Sequence, residues 1–157
     1  MIGLHKSGEY SVPKAFWEDK TLEQMTDSEW ESLCDGCARC CLLKLEDEET
    51  EELFFTNVSC YMLDISTCRC KDYTNRKFRV PECLQVKQMK PTEYQWLPET
   101  CAYRLLAEGK SLPDWHPLVS TETNPLNKAG ISIEAFAVSE DYIHPDQLQN
   151  HIIDLSD

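Results

Sequence analysis

Four cysteines fall within eight residues in "CDGCARCC", and packing alone does not require Cys34, Cys37, Cys40 and Cys41 to be spaced this way. Two intervening residues let a tight turn aim successive thiolates at one centre, and the turn's backbone N–H groups can hydrogen-bond to sulfur. Gly36 suits the sharp conformation of such a knuckle. Cys34, Cys37 and Cys40 therefore read as a three-thiolate claw. Adjacent side chains diverge in most backbone conformations, so Cys40 and Cys41 are not expected to be terminal ligands of one tetrahedral ion. Either Cys40 faces one centre and Cys41 a second, or the pair flanks a polynuclear cluster. Cys60, Cys70, Cys83 and Cys101 supply the remaining candidate ligands. Of nine cysteines this leaves Cys68 as the odd one; for it and for Cys101, burial as a small hydrophobe is the competing reading.

The run C-x2-C-x2-C matches the first three positions of the bacterial ferredoxin motif, but Cys41 replaces the continuation x3-C-P. A divalent ion held by four thiolates carries about two net negative charges. Arg39, Arg69, Lys71 and Arg104 lie one to three positions from a cysteine and are candidates to offset that charge, unless they are ordinary surface cations. His116 in "PDWHPL" is the histidine nearest the cysteines, a candidate ligand or acid/base set against a plain turn histidine flanked by prolines. No glycine-rich phosphate loop, nucleophile elbow or HExxH pair occurs. "CARC" lacks the preceding strand and following long helix of a thioredoxin-like site.

The cysteines must be positioned by a chain of 157 residues with 41% hydrophobic content, long enough for one domain with an ordinary core. A net charge of -13, with no lysine- or arginine-rich run to offset it, is the wrong sign for nucleic acid or an anionic membrane. The acidic residues 46–52 read as a solvated turn and lack the alternating oxygen ligands and central Gly of a calcium loop. "MIGLHKSGEYSVP" carries no export signal, and no apolar run is long enough to span a bilayer, so a cytoplasmic location is expected. In that reducing compartment a cysteine-dense chain points to metal or redox chemistry over a disulfide framework.

The expected fold is α+β, a small single domain over residues 1–157. A helical arm spans 1–33, a metal-organised core 34–118, and a C-terminal strand and helix 119–157. "PKAFWEDKTLEQM" and "TDSEWESL" predict short helices, the second opened by a Thr26/Glu29 capping box. "CLLKLEDEETEELFFTNVSC" predicts a β-hairpin around the acidic turn. Residues 60–98 show no sustained period and need an external staple. "PETCAYRLLAEGK" predicts a helix with Pro98 near its start, Gly109 past its end, and Cys101 on the face of Leu105. "STETNPLNKAG" reads as a flexible link, "ISIEAFAV" as a strand, and "PDQLQNHIIDL" as a helix with Leu148, Ile152 and Leu155 in one stripe.

Taken together, "CDGCARCC", "CYMLDISTCRCKDYTNR", "PEC", "WLPETCAYRLLAEGK" and "PDWHPL", matching in order over about residues 30–118, resemble the bacterial YcgN family, a branch of the CxxCxxCC group that includes YkgJ. The resemblance implies a zinc- or iron-chelating domain with no assigned reaction, its cysteines falling on Cys34, Cys37, Cys40, Cys41, Cys60, Cys70, Cys83 and Cys101. The wider group's C-x2-Y-x2-R-P-x2-C pattern is kept at Cys70, Tyr73 and Arg76, whereas Pro81 and Cys83 come three residues late. A related cysteine motif in a flagellin lysine methylase associated with an iron–sulfur cluster hints at iron. The expected function is metal binding, with zinc, iron or an iron–sulfur cluster as cofactor, more than one ion, and a protein partner left open. The alternative is a metal-dependent enzyme with an open coordination position.

Overall fold

The structure is a computed structural model describing residues 14–155. The expectation about an export signal concerns residues 1–13, which lie outside the described residues.

The arm begins with α1 (Phe16–Asp19), a 3-10 turn (Leu22–Gln24) and α2 (Asp27–Ser32). The capping box forms as its sequence predicts: Glu29 N–H donates to Thr26 Oγ1 at 3.2 Å, and Thr26 N–H donates to Glu29 Oε1 at 2.9 Å. The same Glu29 carboxylate accepts from Lys20 Nζ at 2.8 Å, tying α1 to α2.

The hairpin also forms, from β1 (Leu42–Glu46) and β2 (Leu53–Ser59) paired antiparallel. Asp47 Oδ1 accepts the Glu49 and Thr50 amides and so closes the acidic turn. Its register shifts between Leu42, opposite Ser59, and Lys44, opposite Phe55. The fully buried Thr56 fills that irregularity: its hydroxyl donates to the Leu43 carbonyl at 2.7 Å and accepts from Val58 N–H at 3.2 Å.

Residues 60–98 are irregular, as expected. They hold the two-stranded sheet of β3 (Leu63–Asp64) and β4 (Arg69–Cys70), then α3 (Arg76–Arg79) and 3-10 turns at Val86–Gln88 and Pro91–Trp96. The next helix, α4 (Ala102–Ala107), starts later than Pro98 suggests, with Cys101 as its N-cap, and ends before Gly109 at φ 74°. Tyr103 on α4 donates to the Trp30 carbonyl at 2.7 Å, and the two rings lie 4.5 Å apart. The residues before Cys34 and after Cys101 are thus held together.

Three expectations fail beyond this point. Residues 120–130 are not a loose link: they contain α5 (Pro125–Lys128), anchored by the buried Leu126. "ISIEAFAV" forms a 3-10 turn (Ile133–Ala135), because Ser132 Oγ accepts the Glu134 amide, and only β5 (Val138–Ser139) is extended, parallel to β2. The C-terminal segment is a 3-10 helix (Pro145–His151) and not an α-helix. Ile152 and Ile153 then pair with β2, through a bridge to Thr56 and a 2.9 Å bond from Ile153 N–H to the Phe55 carbonyl. Bonding to the sheet competes with continuing the helix, and the expected stripe does not form.

Among the described residues the core consists of three small clusters. Leu33, Tyr94, Leu97, Ala102, Tyr103 and Leu112 form the first; Ala38, Leu42, Leu63 and Ile133 the second; Cys37, Leu126 and Ile131 the third. Residues 33–42 contribute to all three, so the cysteine run is the segment on which the clusters meet. Among the described residues no helix is long and apolar enough to cross a membrane.

Candidate metal centre

The knuckle is built by left-handed turns. Gly36 sits at φ 77° and Ala38 at φ 61°, the second a conformation that costs energy for a residue with a Cβ. Asp35 Oδ1 accepts Cys37 N–H at 2.9 Å, and Arg39 N–H donates to Cys37 Sγ at 3.4 Å. The i+2 amides of Gly36, Met62 and Tyr103 bear likewise on Cys34, Cys60 and Cys101, as does the Arg104 amide on Cys101, each easing ionisation of its thiol. Each such bond favours the thiolate and leaves other sulfur lone pairs free.

Around this knuckle the thiols act on one another's charge in two overlapping sets. The charge of Cys40 acts on Cys34, Cys37 and Cys101, and the Asp35 carboxylate acts on all four. Cys41 feels Cys60 and Cys83, while Cys60 and Cys83 both feel Cys70. The hairpin explains the second group: Cys60 N–H donates to the Cys41 carbonyl at 2.9 Å, placing those residues across its open end. The β3–β4 pair then sets Cys70 opposite Leu63, three residues past Cys60. Cys83 also feels Cys40, so the groups adjoin at the Cys40–Cys41 doublet.

Burial pushes Cys34 up to about 11 and Cys101 up to about 12, with the charge of Cys40 adding to both. Cys37 is raised well above the ordinary thiol value, again by burial first. Within the doublet the first proton leaves Cys40, lowered to about 7 chiefly because the Cys41 thiol donates to it; Cys41 is raised correspondingly. Cys34 and Cys40 are nonetheless solvent-exposed, the situation of groups lining an open crevice. Among the described residues no three His, Cys, Asp or Glu side chains already converge in a geometry that grips an ion. The chemistry of the donor set nevertheless fits a thiophilic cation: soft sulfur donors in two groups, each opposing its neighbours' ionisation, a repulsion that a cation among them removes.

Two of the cations that the sequence singles out, Arg39 and Arg104, turn their side chains away from sulfur. Arg39 is buried and donates to the carbonyls of Ile131 at 2.8 Å, and of Gly130 and Leu155 at 3.4 Å each; it staples the C-terminal segment to the knuckle. Arg104 donates to Leu97 O and Glu108 Oε1. Near the thiols are Lys44, whose ammonium reaches the carbonyls of Cys40 and Leu42 and sits 5.1 Å from the Phe55 ring centroid, and Lys77, which reaches the Cys83 carbonyl at 3.0 Å. Arg76 stacks on Tyr73 at 3.8 Å and acts on Cys83. Contrary to the expectation that no basic run exists, residues 69–79 hold five cations, Arg69, Lys71, Arg76, Lys77 and Arg79, against the single acid Asp72.

His116 faces no thiol. It is fully buried, with Nε2 donating to the Leu33 carbonyl at 2.8 Å and Nδ1 accepting Leu118 N–H at 3.0 Å, so both ring nitrogens are occupied. Cys68 stands apart: its Sγ lies 3.3 Å from Ser132 Oγ and packs on the second cluster. A cavity of about 790 Å³ between β2, Gln95 and the C-terminal segment is lined by none of the eight cysteines.

The model of the CxxCxxCC family, described as "Putative zinc- or iron-chelating domain", matches residues 33–102. The chain is similar to a UPF0260 protein of Rhizorhabdus wittichii, 55% identical over 141 residues, 90% of this chain and 95% of the relative. A UPF0260 protein of Parvibaculum lavamentivorans is 52% identical over 88% of this chain and 90% of its own length; one of Klebsiella pneumoniae is 50% identical over 90% and 95%. No solved structure matches the chain.

Proposed function

The chain belongs to the UPF0260 family and carries its CxxCxxCC domain, in agreement with the YcgN resemblance, and from that premise we propose a cytoplasmic metal-binding protein with two adjoining thiolate centres. Cys34, Cys37, Cys40 and Cys101 supply one centre, and Cys41, Cys60, Cys70 and Cys83 the other. The observation that carries this reading is the hairpin, whose open end sets Cys60 against Cys41 by a 2.9 Å backbone bond while Cys34, Cys37 and Cys40 share the knuckle; the thiols' mutual charge effects agree with it. Side-chain rotation on knuckles whose amides already address sulfur would close each set on its ion. Bound metal would join the three small clusters through residues 33–42, supplying cohesion that their apolar area alone provides weakly.

The charge effect of Cys40 on Cys83 also supports a second reading, in which the two groups share one polynuclear cluster. Anaerobic purification followed by absorption spectra and elemental analysis for zinc, iron and acid-labile sulfide separates the two. Zinc without sulfide is the result for two mononuclear sites; iron with stoichiometric sulfide and a brown colour is the result for a cluster. Protein that holds neither metal would contradict both readings.

A further inference from the structure

Between Cys34 and Gly36 lies an acid that the cysteine pattern passes over. Asp35 uses one carboxylate oxygen structurally, accepting Cys37 N–H at 2.9 Å and bracing the knuckle. Its other oxygen, Oδ2, is buried and takes no hydrogen bond from nitrogen or oxygen among the described residues; the group beside the carboxylate is the Cys37 thiol, itself a ligand candidate. An unpartnered buried carboxylate oxygen is costly unless a cation answers it. The chain's own nearby cations are committed elsewhere: Arg39 to the carbonyls of Ile131, Gly130 and Leu155, and Lys44 to those of Cys40 and Leu42. Next to Cys34 in the chain and bonded to the Cys37 amide, the carboxylate is part of the knuckle that carries the Cys34, Cys37 and Cys40 thiols.

We infer that Asp35 Oδ2 is an oxygen donor to the ion held by Cys34, Cys37, Cys40 and Cys101, making that centre a mixed sulfur–oxygen site beside an all-sulfur one. The inference rests on the metal-binding reading and adds an asymmetry to it. Zinc and iron both accept carboxylate oxygen alongside thiolate. A carboxylate donor can also yield its place more readily than a thiolate, which makes this centre the one able to admit an outside ligand.

The test uses the full chain loaded anaerobically with Co2+, a spectroscopically visible substitute for zinc. X-ray absorption at the cobalt edge reads the donor atoms, and competition with a chelator reads retention. The wild type is expected to show a light-atom scatterer at about 2.0–2.2 Å beside the sulfur shell. D35N, which keeps an oxygen to accept Cys37 N–H, is expected to lose that scatterer and to release about half its cobalt at least about tenfold more easily. The circular dichroism of the metal-free variant should match the wild type. A sulfur-only shell in the wild type, with D35N retaining cobalt equally well, would overturn the inference and leave the metal-binding reading standing. A wild type that takes up no cobalt would sink both.

Discussion

Replacing His116 with Ala tests whether this histidine is a ligand or a strut. Its ring is fully buried and bridges the Leu33 carbonyl and the Leu118 amide, at 2.8 and 3.0 Å. Truncation to Ala removes both bonds and leaves a void where the imidazole stood. An orphaned buried backbone group costs about 1–3 kcal/mol, and here the carbonyl is the more deeply enclosed of the two. With the void added, H116A should lose about 3–5 kcal/mol. That is a large share of the roughly 5–15 kcal/mol typical of a domain, and this one draws on three small clusters. Urea unfolding of metal-loaded protein, followed by tryptophan fluorescence, reads the loss; metal analysis of the folded fraction reads ligation. The expected outcome is a lowered midpoint with an unchanged metal count per folded chain. A loss below about 1 kcal/mol would refute the strut argument. A folded variant that is short of one ion would make His116 a ligand after all.

The remaining predictions concern the thiols. Stripping metal with a chelator under reducing conditions should remove amide protection between residues 34 and 101, since structural metal binding contributes on the order of 10 kcal/mol to folding; hydrogen exchange that stays fully protected would count against it. In metal-free protein, iodoacetamide should label Cys40 first, with a midpoint near pH 7, whereas Cys34 and Cys101 should resist until about 11 and 12. Lys44 lowers the Cys40 value, so K44M should move the Cys40 midpoint upward, and peptide mass spectrometry across a pH series shows whether it does. C68S should keep its full metal content, because Cys68 faces Ser132 and the second cluster; loss of an ion would return Cys68 to the ligand set.

The parts of this molecule legible in the sequence are those whose causes are local. The Thr26–Glu29 box and the hairpin around residues 46–52 depend on neighbours a few positions away, and both form as read. The knuckle follows from Gly36 and the two-residue gaps, and its amide-to-sulfur bonds follow from the knuckle. What escaped the sequence depends on distant partners. Alternation in "ISIEAFAV" predicts a strand, but the Ile133 amide is taken by the Cys37 carbonyl and Ser132 caps the turn. Arg39 looks like a counter-ion beside its cysteines, yet its guanidinium is claimed by carbonyls more than 90 positions away. Lys44 went unremarked although it lies four residues past Cys40, a separation that the start of β1 folds back into contact. Asp35 was masked by the cysteines on either side of it.

The central claim is that Cys40 and Cys41 belong to different centres, and counting ions chain by chain tests it most directly. Native mass spectrometry of the zinc-loaded wild type, C37S, C60S and the double variant C37S/C60S gives that count. Two ions in the wild type, one in each single variant and none in the double variant is the predicted pattern. A wild type with one ion, or a single substitution that empties the protein while it stays folded, would contradict the division and put all eight thiols around one shared cluster.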